Sequence, residues 1–156
     1  YLSAQQVKSI KWITFEQLED SLKVTPKKVF ISFYADWCVY CEKMKKTAFR
    51  DKAVVSILNQ KYYAVKMNAE TTDTIRFEGK KFYNNQVGKK RHPTHQIPLL
   101  LASRKGRSFS LPAIIVLDKD FRKHFLNKDM IPYYHIFQKV SKSGKMVKVS
   151  SLQLSQ

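Results

Sequence analysis

The segment KVFISFYADWCVYCEKMKK, Lys28 to Lys46, contains both cysteines of a 156-residue chain. Its first part, Lys28 to Ala35, mixes β-branched and aromatic residues with almost no polar interruption, the pattern of a strand that is buried on both faces of a sheet. The residues from Asp36 to Arg50 place apolar side chains at helical spacing and predict a helix. We therefore expect Cys38 and Cys41 to lie where a buried strand gives way to a helix.

A cysteine at the start of a helix is placed for redox chemistry. A thiol reacts as its thiolate, so a redox cysteine needs a pKa lowered from about 8.5 toward or below about 7. If Cys38 starts the helix, its sulfur faces the free N–H groups and the positive end of the helix dipole. Cys41 then lies one turn inward, close enough to resolve a mixed disulfide. The spacing predicts that Cys38 attacks a substrate and that Cys41 releases it.

Two other roles for the cysteine pair stay open. His92-Pro-Thr-His95 supplies two further zinc ligands, although the spacing of the histidines is one residue short of the usual and a long segment separates the two pairs. A purely structural disulfide is the other possibility. In either case the protein would be a non-enzymatic interaction module that docks a partner.

The composition of the chain argues against a membrane-spanning protein and against a specific nucleic-acid-binding protein. The chain is 44% hydrophobic and carries a net charge of +17, which fits a globular domain with a core. It has no run of 18 apolar residues, so the sequence predicts no membrane span. The net charge is +5 over residues 1–70, +7 over 71–111 and +5 over 112–156. Because this charge is not concentrated on one segment, we expect attraction to acidic protein surfaces and no specific nucleic-acid binding.

The remaining pattern predicts one α/β domain with an insertion. Further strands are predicted over Trp12 to Phe15, Tyr62 to Asn68, Ala113 to Leu117 and Phe121 to Leu126. Further helices are predicted over Phe15 to Lys23, with Thr14 as its cap, over Ala53 to Asn59 and over Asp129 to Lys142. We expect a single domain over residues 1–143 and a C-terminal tail over 144–156.

Residues 69–109 are polar and basic and predict the insertion. Within it, Thr74 to Phe77 and Lys80 to Tyr83 flank a two-residue turn at Glu78-Gly79, which predicts a hairpin. Thr94 to Ser103 predicts a helix with Pro98 in its first turn. His92 is expected in the loop before this helix, and His95 at its cap or in its first turn. The run Lys89-Lys-Arg91 fits a solvated loop or a docking site for an acidic partner near the cysteines.

The run Tyr34-Ala-Asp-Trp-Cys-Val-Tyr-Cys41 resembles the active site of the thioredoxin family. In its residues this run is most similar to the thioredoxin-like C-terminal domain of bacterial thiol:disulfide interchange proteins and to related periplasmic thioredoxin-like proteins. Three further features match the pattern of this family: Lys66-Met-Asn68, Leu111-Pro112 and the predicted closing helix. The resemblance covers residues 12–70 and 110–142.

This resemblance implies a thioredoxin-like fold, with a central mixed sheet flanked by helices. It also implies thiol-disulfide exchange with protein thiols and disulfides, an upstream redox partner, and no cofactor beyond the cysteine pair. The implied location is periplasmic or otherwise exported. Because the dipeptide between the cysteines tunes the potential in this family, Val39-Tyr40 leaves the direction of electron flow open.

The resemblance also implies which residues meet the substrate. The matching proline of the family is cis and lies against the cysteines, so Leu111 would offer its backbone to an extended substrate segment. Pro112 and Trp37 would complete this substrate-facing frame.

One departure from the family concerns proton transfer. Thioredoxins usually carry a buried aspartate six residues before the first cysteine, and this chain has Ser32 there, while Lys66, the usual partner of that acid, is retained. The candidates for proton transfer at the second cysteine are then Asp36, Glu42 and Glu70, or water.

Overall fold

A mixed sheet is the centre of the fold. The computed structural model describes residues 9–103, 106, 108–119, 131–140 and 146–154, the last two ranges by their backbone. Its strands are β1 (Trp12–Ile13), β2 (Lys28–Tyr34), β3 (Tyr62–Asn68), β4 (Ile75–Phe77), β5 (Lys80–Phe82), β6 (Ala113–Leu117), β7 (Ile131–Val140) and β8 (Met146–Leu154). In this part of the chain the sheet order is β1-β3-β2-β6-β7-β8, and β4 and β5 form a separate hairpin. Strand β2 therefore lies in the interior of the sheet.

Strand β2 is buried on both faces, as its sequence predicts. Residues 29–33 are each at most 5% exposed. The strand runs parallel to β3, with Ser32 opposite Lys66, and antiparallel to β6. Because parallel strands end at the same edge of a sheet, the residues that follow β2 and β3 meet there. The N–H of Ala69 donates to the carbonyl of Tyr34 at this edge, over 2.7 Å.

The helices of the described residues are α1 (Phe15–Val24), α2 (Val39–Lys46), α3 (Lys52–Lys61) and α4 (Gln96–Ala102). Thr14 caps α1 as predicted, in a capping box with Gln17. Asp51 caps α3 by accepting from two backbone N–H groups, each over 3.0 Å. These caps satisfy N–H groups that a helix start would otherwise leave unpaired. None of the helices in the described ranges is long and apolar enough to span a membrane.

The helix predicted over Asp36 to Arg50 is shorter than expected. It comprises α2, from Val39 to Lys46, and a separate 3-10 turn at Ala48–Arg50. Thr47 leaves the helical backbone conformation, at φ −118° and ψ −85°, and its N–H donates to Met44 three residues back. This tightened turn ends α2 before it can continue.

Apolar side chains cover both faces of the sheet. On one face the sheet packs against α1 and α4, and the buried residues there include Phe15, Leu18, Leu22, Ile31, Phe33, Val65, Met67, Ile97, Leu101, Ile115 and Leu117. On the other face it packs against α2 and α3, with Phe30, Met44, Val55, Leu58, Ala64 and Ile114. The predicted fold class, a central mixed sheet flanked by helices with an inserted hairpin and helix, is confirmed.

The insertion has the predicted internal structure. Strands β4 and β5 pair antiparallel, and the turn between them has positive φ at Glu78 (52°) and Gly79 (72°), as a two-residue hairpin turn requires. Helix α4 starts at Gln96, two residues later than predicted, because the side chain of His95 caps it. Pro98 lies in its first turn, where its missing N–H removes no helical hydrogen bond.

Two predictions at the C-terminal end are wrong. The segment predicted as a helix, Asp129 to Lys142, contains strand β7, and the predicted tail contains β8. Strand β7 pairs antiparallel with β6. Its hydrogen bonds therefore satisfy backbone N–H and C=O groups that would otherwise stay unpaired along the buried strand β6. Ile131-Pro-Tyr-Tyr-His-Ile-Phe137 is rich in β-branched and aromatic residues, which favour a strand despite their helical spacing. The strand predicted over Phe121 to Leu126 lies outside the described residues.

Candidate active site

The two cysteines lie at the start of α2, at the carboxyl edge of β2. Cys38 is the N-cap of α2, and its sulfur accepts a hydrogen bond from the N–H of Cys41 over 3.2 Å. The two residues form a disulfide, with their Cα atoms 5.2 Å apart. An N-cap sulfur faces N–H groups that carry the positive end of the helix dipole, so a thiolate at Cys38 would be stabilised there.

The two cysteines and their neighbours differ in their exposure to solvent. Cys38 is 3% exposed, whereas Cys41 is partly exposed. Three apolar neighbours project into solvent: Trp37 is 52% exposed, Val39 77% and Tyr40 57%. An apolar surface of this kind beside a disulfide is suited to contact with an unfolded or extended protein segment.

Trp37 is held by two residues from outside the helix. Its indole Nε1–H donates to the Glu70 carboxylate, which follows the end of β3. Its ring packs on the ring of His92, with centroids 4.4 Å apart. His92 Nδ1 lies 3.7 Å from the same Glu70 oxygen. The insertion therefore contacts the residue next to Cys38, a contact for which the sequence contains no signal.

Pro112 and Leu111 lie on the other side of the cysteine pair. The peptide bond between them is cis. Leu111 is partly buried against the core of the α1 face, and Pro112 lines a cavity of about 530 Å³ together with Cys41. This arrangement brings Pro112 and the disulfide together at one site.

The same cavity contains most of the polar groups predicted for proton transfer. Asp36 and Glu42 line it, as do Ser32 and Lys66. Glu70 is engaged with Trp37 instead, so it does not belong to this group. Two of the three carboxylates proposed from the sequence therefore line the same cavity as Cys41, and the third contacts Trp37.

Lys66 borders this cavity beside two aromatic rings. Its ammonium lies 5.9 Å from the ring centroids of both Trp12 and Tyr34. Burial, and secondarily the charge of Asp36, raise the pKa of the Tyr34 hydroxyl, which therefore stays protonated. Lys66 is thus an exposed cation at the border of a cavity that carries a serine where an acid is usual in the resembled family.

His95 is not arranged as a metal ligand. It is fully buried, its Nδ1 accepts from the N–H of Ile97 over 3.2 Å, and its Nε2 donates to the carbonyl of Asp73 over 3.0 Å. Burial lowers the pKa of His95, against the opposing effect of its carbonyl contacts. Both ring nitrogens are therefore used. No group of three or more His, Cys, Asp or Glu side chains within the described residues could hold a metal ion, and the zinc hypothesis gains no support.

Comparison with known proteins places this geometry in a family. A family model described as a thioredoxin-like domain matches residues 15–126, more than half of the chain. The thiol:disulfide interchange protein DsbD of Vibrio vulnificus (strain CMCP6) is 41% identical over 58 residues, and that of Vibrio cholerae serotype O1 is 36% identical over 63 residues. These alignments cover 35% and 36% of this chain and 10% of each relative. The chain thus spans about one tenth of the length of these curated relatives.

Among solved structures, one described as a DsbH oxidoreductase aligns at 12% identity with a TM-score of 0.49, over 77% of this chain and 73% of its own. The family assignment depends on the match over residues 15–126, which includes the strand, the cysteine pair and Pro112. The chain belongs to the thioredoxin-like domain family.

Proposed function

We propose that this protein is a thiol-disulfide oxidoreductase that exchanges disulfides with protein substrates. The observation that carries the proposal is the position of Cys38 as N-cap of α2, with its sulfur accepting from the N–H of Cys41. This position lowers the free energy of a Cys38 thiolate, which makes Cys38 both a nucleophile and a good leaving group. The relatives' name, thiol:disulfide interchange protein, supports the same activity.

In the reductive direction the Cys38 thiolate attacks one sulfur of a substrate disulfide. A Cys38–substrate disulfide forms, and the other substrate sulfur leaves as a thiolate and takes a proton from water. Cys41 then loses its proton and attacks the Cys38 sulfur, which forms the Cys38–Cys41 disulfide and releases the second substrate thiolate. The substrate gains two electrons and the protein loses two. The oxidative direction is the reverse, and neither direction uses a cofactor beyond the cysteine pair.

The layout of the site supports the remaining roles. Trp37, Leu111 and Pro112 frame the substrate, and Asp36, Glu42 or a water accepts the proton of Cys41. Asp36 and Glu42 line the same cavity as Cys41. Glu70 positions Trp37 rather than moving protons. The protein works in an exported, oxidising compartment with an upstream redox partner, as the resemblance to periplasmic proteins supports.

A redox titration tests this function. The purified protein is equilibrated in glutathione or dithiothreitol buffers, and the thiol state of Cys38 and Cys41 is followed by alkylation and mass. We expect a reversible two-electron transition within the range of exchange proteins, about −120 to −270 mV. A pair that stays oxidised far below this range would make the disulfide structural and the protein an interaction module. The double variant Cys38→Ala/Cys41→Ala, which has no thiol to titrate, is the control.

A further inference from the structure

The loop over residues 84–95, here named the basic loop, is fixed in place by its own hydrogen bonds. Asn84 Nδ2 donates to the carbonyls of Thr71 (3.1 Å) and Pro93 (2.8 Å). Gln86 Oε1 accepts from the N–H of Thr94 over 3.0 Å. These bonds close the loop on itself and attach it to the segment that follows β3. Its position relative to the site is therefore defined by the fold.

The basic loop reaches the candidate active site through His92. The His92 ring packs on Trp37, and its Nδ1 approaches the carboxylate that also accepts from the indole. Trp37 is the chain neighbour of Cys38. The residues that immediately precede His92 are therefore attached to the Trp37 side of the site, although they are far from the cysteines in sequence.

Those preceding residues are cations without internal acidic partners. Lys89, Lys90 and Arg91 are exposed, and no acidic side chain in the described ranges lies within ion-pair distance of them. Their backbone is held by a turn in which the carbonyl of Gln86 accepts from the N–H groups of Lys89 (2.9 Å) and Lys90 (3.2 Å). The one carboxylate at the contact, Glu70, is engaged by Trp37 and His92.

We propose that the basic loop is a recognition surface for substrates with acidic residues close to their reacting cysteines. The exposed Trp37, Val39 and Tyr40 would contact apolar residues beside the substrate cysteine, while Lys89, Lys90 and Arg91 pair with carboxylates further along the same segment. The proposal rests on the proposed exchange activity and adds the class of substrate that the site selects.

The test compares two peptides that differ in charge alone. Each carries one disulfide, flanked in one peptide by three aspartates and in the other by three asparagines. The second-order rate constant of exchange is measured for both, in the direction that the redox potential favours. We expect Lys90→Gln/Arg91→Gln to lower the ratio of the acidic to the neutral rate about fivefold, as the loss of two exposed ion pairs predicts. The preference should largely disappear in about 0.5 M salt.

A charge-matched control uses Lys28→Gln/Lys61→Gln. Both side chains are exposed and lie where β2 and β3 begin, at the edge of the sheet opposite to the cysteines. This variant should leave the ratio unchanged. An equal loss of preference in the control would show a general effect of net charge and would overturn the proposal, as would equal rates for the two peptides in the parent protein.

A second variant separates the effect of the loop's contact with Trp37 from the effect of its charge. His92→Ala keeps all three cations but removes the ring contact between the basic loop and Trp37, so we expect the ratio of acidic to neutral rates to fall. An unchanged ratio would mean that the loop acts without this contact and would contradict the positional argument. If neither peptide exchanges at all with any variant or with the parent protein, the proposed function fails, an outcome distinct from an absent charge preference.

Discussion

The two sides of the Cys38–Cys41 disulfide are built differently. On the Trp37 side, an exposed aromatic residue contacts Glu70 and His92, which both lie within residues 69–109 of the insertion. On the Cys41 side, the disulfide borders a cavity lined by both apolar and charged residues, and Ser32 of β2 is one of its polar residues. The first side offers contact with substrate alone, whereas the second combines Pro112 of the substrate frame with polar groups suited to the movement of a proton. The difference indicates that recognition and proton transfer can be altered separately.

The largest expected effect is on the cavity side. Ser32→Asp would place a carboxylate in the cavity that holds Cys41, so deprotonation of Cys41 should become faster. We expect release of the mixed disulfide to accelerate by on the order of a hundredfold near neutral pH. The rate of this release is measured by stopped flow as a function of pH.

The matched control is Ser32→Asn. The asparagine side chain has nearly the same shape as aspartate but cannot act as a base. Because Ser32 is 5% exposed, both variants should also be less stable than the parent. Identical pH profiles for the Asp and Asn variants would show that the cavity is not the path of the proton. The preference between acidic and neutral peptides should not change in either variant.

A smaller effect concerns the buried histidine that anchors the insertion. The folded state lowers the pKa of His95, so below the ordinary value of about 6.5 the unfolded chain binds a proton that the folded chain does not. The stabilisation by neutral His95 is therefore complete above about pH 6.5 and is lost as the pH falls. His95→Asn keeps a capping acceptor for α4 but does not titrate.

Urea unfolding of the parent and of His95→Asn from pH 8 to pH 5 measures this effect. At pH 8 the variant should be less stable by about 1–3 kcal/mol, because the carbonyl of Asp73 loses its donor. The difference should shrink as the pH falls below about 6.5, by at most about 1.4 kcal/mol per pH unit. A difference that is constant with pH would mean that His95 does not carry this dependence.

The smallest effect is expected at the Trp37 side. Glu70 and His92 are partly exposed, with Nδ1 and the carboxylate oxygen 3.7 Å apart, so their coupling should be below about 1 kcal/mol. A double-mutant cycle with Glu70→Gln and His92→Gln gives this energy from unfolding curves at pH 5.5 and 8. Because an ionic interaction requires a charged imidazole, the coupling should be weaker at pH 8 than at pH 5.5. Stronger coupling at pH 8 would contradict an ionic interaction.

Much of the site could be predicted because its signals are local. The apolar run of β2, the cap at Thr14 and the turn at Glu78-Gly79 are each encoded within a few residues, and each is confirmed. The position of Cys38 at the start of α2 follows from the same short-range pattern. Such features depend on backbone hydrogen bonds and side-chain caps that neighbouring residues provide.

The features that were missed depend on distant partners. Strand β7 forms because β6 needs a neighbour on its free edge, and this need outweighs a helical spacing of apolar residues. The contact between His92 and Trp37 joins residues that are far apart in the chain and has no periodic signal. One missed feature is local instead: α2 ends at Thr47 in a turn that a pattern of apolar residues does not reveal.

The most direct test of the central claim is the trapping of mixed disulfides by two single variants. Cys41→Ala and Cys38→Ala are each incubated with an oxidised protein substrate, and the adducts are identified by mass. Because Cys38 caps α2 and Cys41 resolves, Cys41→Ala should accumulate adducts through Cys38, and Cys38→Ala should accumulate none. Cys38 is the more buried of the two. Equal or greater trapping by Cys38→Ala would therefore show that exposure, and not the helix start, decides which sulfur reacts, and would contradict the account.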